Sequence, residues 1–242
     1  MKGCIAVSLL ALSMFSMEAS AVELNENFDF NLTVQGVSDY RSHGITLTRG
    51  DPALQGMATI ASKQTGLYAG VWSSTYDLGQ YSKAHREDQY FVGSYLPITD
   101  NIDLDVSLGR YEYRHQADSD TDEIFVVSNI YDFVLTFVYD FNVKNTPNSR
   151  ALALGYKFHL PYETTFYVAY DVVDVNQDLY KANGDTRQHF KDWEATLSKE
   201  YLGLTWKLSY VDTDLSKTEC LYATGVQDHC SGTVVFGVGK TF

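Results

Sequence analysis

Apolar and polar residues alternate along most of this sequence, and this pattern constrains the fold more than any other feature. Segments 102–109 (IDLDVSLG) and 204–210 (LTWKLSY) show it clearly. A period of two places neighbouring side chains on opposite faces of a β-strand, whereas a helix requires a period near 3.6. Almost no helical periodicity occurs beyond residue 21, so the sequence predicts an all-β fold.

Counting the alternating segments predicts about twelve strands. They lie at residues 28–38, 52–62, 67–76, 87–97, 101–112, 122–131, 133–141, 150–160, 163–173, 188–199, 201–211 and 232–242. Short turns strictly alternate with longer polar connections such as 77–86, 114–121, 174–187 and 212–231. This arrangement is typical of an up-and-down barrel with one short-turn end and one long-loop end, and not of a Greek-key sandwich.

Strand alternation by itself also suits a soluble β-sandwich, whose apolar face points inward. In a membrane barrel the apolar face points to lipid and the polar face lines the lumen. The connections, the even strand number and the aromatic residues near strand ends favour the barrel; these aromatic residues are Phe28, Tyr76, Tyr111, Tyr113, Phe158, Tyr201 and Tyr210. We therefore predict a transmembrane antiparallel up-and-down β-barrel with aromatic girdles.

The C-terminus supports the same prediction. Phe236 and Val238 alternate back from the terminal Phe242, which resembles the last strand of bacterial outer-membrane barrels. Lys240 departs from that pattern, because an apolar or aromatic residue usually stands there.

The N-terminus is typical of an export signal. Lys2 precedes a short apolar run from Ile5 to Phe15, and Ala19-Ser20-Ala21 forms an A-x-A cleavage site. The run is too short for a membrane-spanning helix. We expect residues 1–21 to be a signal peptide and residues 22–242 to form the barrel in the bacterial outer membrane.

Charge limits the partners of the chain. The formal net charge is −13, which argues against nucleic acid and against an anionic membrane surface. The expected partners are outer-membrane lipid and small solutes, with the chain acting as a monomer or a homo-oligomer. The acidic run 118–123 suggests either a solvated loop tip or a divalent-cation site, although it lacks the glycine and distal glutamate of an EF-hand.

Two cysteines remain after the predicted cleavage. Cys220 and Cys230 lie ten residues apart in an exported chain, which favours a disulfide. A zinc site beside His229 is the weaker interpretation, because no fourth ligand is evident. We expect no metal and no cofactor.

The polar faces of the predicted strands supply candidate pore-lining residues. Acidic residues outnumber basic ones, so a water-filled lumen is expected to prefer cations. Asp103 and Asp105, on one strand, are the strongest pair. The full set is Asp103, Asp105, Asp171, Asp192, Glu194, Lys157 and Lys207. The alternative is a plugged or salt-bridged interior, since about twelve strands lie between filled and open barrels.

Residues 38–56 (SDYRSHGITLTRGDPALQG) gather the side chains of a hydrolase in one predicted loop. Adjacent residues such as Ser42 and His43 would point to opposite faces of a strand, and no G-x-S-x-G elbow occurs. We predict no catalytic residues. Asp39, Arg41, His43 and Asp51 are instead candidates for the pore mouth.

Three blocks in the N-terminal third resemble a known family. The stretches SDYRSHGIT, GDPALQG and GLYAGVWSS are similar to the conserved blocks of the TorF-type porin family, also called Gcw_chp. His43-Gly44 stands where that family commonly has Arg-Gly. The resemblance implies an outer-membrane barrel and identifies no substrate.

The sequence therefore predicts a porin-like channel for passive diffusion of small solutes, with a preference for cations and no chemical step. A surface enzyme or adhesin using the long loops is an alternative function. A soluble periplasmic β-barrel binding protein is another.

Overall fold

The computed structural model describes residues 22–79 and 84–242. The predicted signal peptide, residues 1–21, lies outside the described residues, so cleavage after Ala21 stays a prediction.

Twelve antiparallel strands form one sheet that closes on itself. Each strand pairs with the next along the chain, and the last pairs with the first from Gly237↔Val37 to Thr241↔Thr33. The prediction of a twelve-stranded up-and-down barrel is confirmed. The strands are β1 (Phe28–Val37), β2 (Ala53–Ser62), β3 (Leu67–Thr75), β4 (Arg86–Thr99), β5 (Ile102–Tyr113), β6 (Thr121–Ile130), β7 (Phe133–Phe141), β8 (Ser149–Leu160), β9 (Thr164–Tyr180), β10 (Thr186–Tyr201), β11 (Leu204–Thr213) and β12 (Thr233–Thr241).

Short elements complete the described chain. A strand at Val22–Asn25 pairs with the start of β1, and the loop after β1 holds a small hairpin, Arg41–Ser42 with Ile45–Thr46. The loop after β5 has a 3-10 turn at Ala117–Ser119, and the loop after β11 has helix α1 (Lys217–Thr224). Within the described residues, no helix is long and apolar enough to span a membrane.

The outer face of the barrel carries the apolar half of the alternation. Leu152 and Leu154 on β8 expose 53% and 55% of their surface, whereas Ala151 exposes only 4%. Similar exposed leucine, isoleucine, valine and phenylalanine side chains occur on the other strands. An apolar band of this extent is what a lipid-facing barrel surface requires.

The predicted aromatic girdle is only partly correct. Phe28, Phe158, Tyr201 and Tyr210 are exposed on the outer face. Three others, Tyr76, Tyr111 and Tyr113, expose 6%, 1% and 4% and pack together inside the barrel. The two tyrosines of β5 have the same parity as Asp103 and Asp105, so the strand turns all four toward the lumen.

The predicted long loop 174–187 is also wrong. β9 continues to Tyr180 and β10 starts at Thr186, which leaves residues 181–185 as the connection. A register shift between Asp174 and Leu179 interrupts the pairing. Val175, within this interruption, and Leu179, at its end, lie in a buried apolar cluster with Val173. Such an irregularity breaks the alternation that strand prediction depends on.

The C-terminal strand accommodates its unusual lysine. Phe242 exchanges two backbone hydrogen bonds with Leu32 of β1. The ammonium group of Lys240 lies 4.6 Å from the centre of the Phe242 ring, a cation–π distance. The charge therefore sits over an aromatic face at the short-turn end of the barrel.

The last long loop is tied down by a disulfide and by a capped helix. The predicted bond between Cys220 and Cys230 is present. Ser216 and Glu219 form a capping box at the start of α1. Arg187 of β10 donates to Glu219 at 2.6 Å and to Asp214 at 2.8 Å. These contacts hold the helix against the rim of the barrel.

Candidate functional site

The lumen consists of an open half and a filled half. At the short-turn end a cavity of about 840 Å³ lies between the strands and reaches inward to Tyr40, Arg41 and Trp72. Toward the long-loop end the inward side chains are buried, so protein fills the barrel.

Neutral hydrogen-bonding side chains line much of the open cavity. Gln35 donates to Gln55 at 2.6 Å, and Gln55 donates in turn to Ser74 at 3.1 Å. Across the cavity, Thr196 donates to Ser209 at 2.7 Å. The register pairs these residues on neighbouring strands, which produces short polar ladders along the wall. Such a wall suits a water-filled space and polar solutes.

Three of the predicted pore-lining residues, Asp105, Glu194 and Lys207, line this cavity. Asp105 accepts a hydrogen bond of 2.5 Å from the Tyr68 hydroxyl. Asp105, Glu194 and Lys207 come from β5, β10 and β11, so acidic and basic groups share the open space.

The side-chain amide of Asn129 forms hydrogen bonds with both Asp103 and Lys157. Asn129 donates to Asp103 at 2.8 Å, and Lys157 donates to the side-chain carbonyl of Asn129 at 3.1 Å. Neither Asp103 nor Lys157 is among the residues that line the open cavity. A contribution of Asp103 and Lys157 to a solute path stays a prediction.

Two apolar clusters occupy the filled half. One surrounds Phe125, Val173 and Phe190, and the other surrounds Trp72 and Tyr111. These side chains come from opposite walls and from the long loops. Their close burial fills much of this half of the described lumen with protein.

The first long loop folds into the barrel. Arg41–Ser42 pairs with Ile45–Thr46 across the two-residue turn His43-Gly44, whose φ angles are 48° and 76°. Positive φ at both central positions defines the type I′ turn that best fits a tight hairpin. We call residues 39–48 the plug hairpin. Apart from Arg41, which is half-buried, the residues of the plug hairpin are buried.

The plug hairpin is braced internally by Asp39. Its carboxylate accepts from Arg41 at 2.6 Å, from Thr46 at 2.5 Å and from Thr48 at 3.2 Å. Arg41 also donates to the backbone oxygens of Gly44 and, in the last long loop, of Ser231. Asp39 and Arg41 thus belong to the interior of this hairpin, whereas the fourth predicted loop residue, Asp51, is exposed.

His43 at the tip of the plug hairpin contacts the barrel wall. Its Nδ1 lies 3.0 Å from the Asp192 carboxylate and 3.6 Å from that of Asp171. Asp171 and Asp192 lie directly opposite each other on β9 and β10. Burial alone would lower the pKa of His43, but the two carboxylates outweigh it and raise that pKa from 6.5 to about 10. His43 is therefore a buried imidazolium between two acids.

A ring nitrogen of His43 and one carboxylate oxygen each of Asp171 and Asp192 all lie within 4.8 Å of one another, a spacing that could also hold a metal ion. Their spacing is that of a charge-assisted hydrogen bond, since Nδ1 already bonds Asp192 at 3.0 Å. We therefore treat the group as an ion pair.

Further buried acids, among them Glu87 and Glu123, lie outside the predicted set of lumen residues. Glu87 exposes 0% and accepts from the hydroxyls of Tyr40 and Tyr113. Glu123 exposes 2%, accepts from Tyr111 and lies opposite Asp140 on β7. Both acids stand at strand starts, where the sequence shows a polar loop continuing into the strand. Glu87 and Glu123 each lie an even number of residues from a lumen-facing residue of the same strand. This spacing could have identified them from the sequence.

The aspartates of the acidic run 118–123 form ion pairs with nearby basic side chains. Asp118 bonds Lys144 at 2.7 Å, and Arg110 bridges Asp120 and Asp122 at 3.3 and 3.0 Å. These ion pairs and the contact of Asp122 with Asn142 engage the aspartates of the loop. A set of free carboxylates for a divalent cation is therefore not assembled by these described residues.

Comparisons with known proteins agree with this architecture. The family described as "Bacterial protein of unknown function (Gcw_chp)" matches residues 21–242. No curated protein matches the chain. Among solved structures, the NanC porin aligns with a TM-score of 0.52 and 13% identity, covering 87% of this chain and 98% of that one. The KdgM porin in complex with disordered oligogalacturonate aligns with a TM-score of 0.51 and 6% identity, covering 88% and 98%. These likenesses identify a porin-type barrel fold.

Proposed function

This chain belongs to the Gcw_chp family of bacterial proteins, and we propose that it is an outer-membrane channel for the passive diffusion of small solutes. The observation that carries the proposal is the cavity of about 840 Å³, lined by many hydroxyl, amide and charged side chains, inside a closed barrel with an apolar outer face. A space lined by hydrogen-bonding side chains and enclosed by lipid-facing strands has the properties of a porin lumen. The short-turn end would face the periplasm and the long loops the cell exterior.

The acid-rich interior supports a preference for cations. Asp171 and Asp192 meet across β9 and β10, and Asp105 and Glu194 lie on the cavity wall. The basic residues that line the cavity are Arg41, Lys63, Lys207 and Lys240, so the preference rests on the carboxylates deeper in the barrel as well. Rings of carboxylates at a constriction favour cations because they replace part of the hydration energy of the ion.

The plug hairpin represents a closed state of this channel. It occupies the long-loop half of the lumen, while the short-turn half stays accessible. Diffusion through the barrel requires the hairpin to move aside. We also propose that the chain is a TorF-type porin and lies in the outer membrane, as a monomer or as an oligomer.

Planar-bilayer conductance tests the function directly. The full chain is compared with a variant in which residues 40–47 are replaced by a short Gly-Ser linker. The linker variant is expected to conduct several-fold better, because removing the hairpin empties half of the lumen. Folding of each protein is checked by the different gel migration of boiled and unboiled samples. A folded linker variant that gives no channel events would overturn the channel and favour a surface enzyme or adhesin.

A further inference from the structure

The plug hairpin meets the barrel wall through a charged contact at its tip. We propose that it is a displaceable gate, held shut by the ion pair of protonated His43 with Asp171 and Asp192. The inference rests on the proposed channel function, because a gate requires a conducting barrel. The hairpin itself can still be tested without conductance.

The hairpin is built to move as one body. Asp39 ties together Arg41, Thr46 and Thr48 through its two oxygens. The type I′ turn at His43-Gly44 fixes the tip. Displacing the hairpin from the wall leaves all of these internal bonds intact.

Charged contacts from the hairpin to the wall are few, whereas its apolar side chains Tyr40, Ile45 and Leu47 pack into the two buried clusters. Among the described residues, the ion pairs from this hairpin to barrel strands are those of His43. Tyr40 adds a hydroxyl bond of 3.1 Å to Glu87 and an edge contact of 5.8 Å with Trp72. Other polar contacts go to neighbouring loops, for example the backbone bond from Thr46 to His229. Because Arg187 of β10 ties the last long loop to the rim, the bond from Thr46 to His229 must break when the hairpin leaves the wall.

The charges around His43 make it the controlling contact. Asp171 and Asp192 are like charges at directly opposite cross-strand positions, which is unfavourable without a cation between them. Asp140 on β7 also acts on His43 electrostatically. On the neighbouring side of the turn, Asp212 of β11 is engaged with Tyr210 and with the backbone of Thr213.

Within the hairpin the remaining charges neutralise each other. Arg41 is paired with Asp39 at 2.6 Å and is not available to replace the imidazolium. Loss of the proton on His43 therefore leaves two facing carboxylates without a cationic partner among the described residues. Their repulsion and their demand for water both favour an open lumen.

The direction of the pH effect follows from His43. Its pKa is about 10 in the closed state and near 6.5 once the hairpin is released into water. The proton on His43 thus favours the closed state at pH 6.5, and this contribution is lost as the pH rises from 6.5 to about 10. Opening is expected to increase across that range.

The test combines two measurements on His43→Gln, with His159→Gln as the matched control, because His159 is exposed at the short-turn end. The first measurement is bilayer conductance. The second is acrylamide quenching of Trp72, which contacts Tyr40 and exposes 3% of its surface. Trp193 and Trp206 are replaced by Phe so that Trp72 alone emits. Asp192→Asn provides a second way to break the ion pair.

The expected result is specific to the ion pair. His43→Gln and Asp192→Asn raise both conductance and Trp72 quenching several-fold at neutral pH, and both lose the rise between pH 6.5 and 10. His159→Gln behaves as the unaltered chain does. Folded His43→Gln and Asp192→Asn variants with unchanged quenching and pH response would overturn the gate. If the variants change Trp72 quenching as expected but the barrel never conducts, the moving hairpin is supported and the channel function is overturned.

Discussion

Gly44 passes so close to Thr213 that a β-carbon on Gly44 would lie 2.8 Å from the Cβ of Thr213. Its φ of 76° is also in the left-handed region. The tip of the plug hairpin therefore fits against β11 only because this residue lacks a side chain.

Replacement of Gly44 by Ala is expected to lift the hairpin tip from β11. Gly50→Ala is the matched control, because Gly50 has a φ of 83° and a β-carbon added there would meet nothing within 4 Å. Both variants carry the left-handed backbone penalty of about 1–2 kcal/mol, and only Gly44→Ala adds the collision. Trp72 quenching should increase in Gly44→Ala alone. Equal quenching in both variants would show that the close approach has no effect on the hairpin.

Asp105 is expected to contribute to ion selectivity in the open cavity. It lines that space and accepts a bond from Tyr68. Asp105→Asn, alone and with Asp103→Asn, should lower the cation preference measured as a reversal potential across a salt gradient, because a fixed negative charge is removed from the wall. Asp185→Asn removes the same charge from an exposed loop position and should leave the potential near its original value. An unchanged potential in the double variant would exclude both residues from the solute path.

Removal of the disulfide should loosen the last long loop while the barrel stays closed. Cys220 and Cys230 enclose a short segment at the rim. In the chain-entropy description a loop of this length contributes roughly 2–3 kcal/mol. Cys220→Ser with Cys230→Ser is expected to speed proteolysis within residues 214–232, while the gel shift on boiling persists. A loss of that gel shift would mean that the disulfide supports the barrel itself.

Helix α1 should weaken under acidic conditions because of Glu219. Burial raises the pKa of Glu219, but hydrogen bonds from Arg187 and Ser216 outweigh burial and hold that pKa below its ordinary 4.5. A carboxyl group with a lowered pKa stabilises the folded state above pH 4.5, and this contribution is lost as the pH falls through the lowered value.

Hydrogen exchange of residues 217–224, corrected for intrinsic rates, measures this effect. Glu219→Gln should reduce protection by about 2 kcal/mol at neutral pH, the scale of a bond to a charged group, and should remove the acid dependence. Asp228→Asn breaks the exposed pair with Lys217 and is expected to change little. Persistent acid dependence in Glu219→Gln would assign it to another group.

Most of the barrel is predictable because its strands obey a local rule. The predicted β7 at 133–141 coincides with Phe133–Phe141, since uninterrupted alternation there reports the two faces directly. The prediction for β9 ends at residue 173, whereas the strand continues to Tyr180, because the register shift after Asp174 hides its continuation. Tyr111 lies near a strand end, and for that reason the sequence predicts it in the aromatic girdle. Its odd-numbered position on β5 instead turns the side chain into the lumen.

The amino-acid sequence by itself determined the number of strands, their order, the alternation of turn lengths and the disulfide. Each of these depends on residues close together in the chain or on a two-residue period. Tertiary structure alone decided what fills the barrel. His43 meets Asp171 and Asp192 only because β1, β9 and β10 curve around a common axis, and contacts between residues so far apart in the chain leave no local pattern. Residues 39–48 of the stretch that first suggested a hydrolase thus fold inside the lumen.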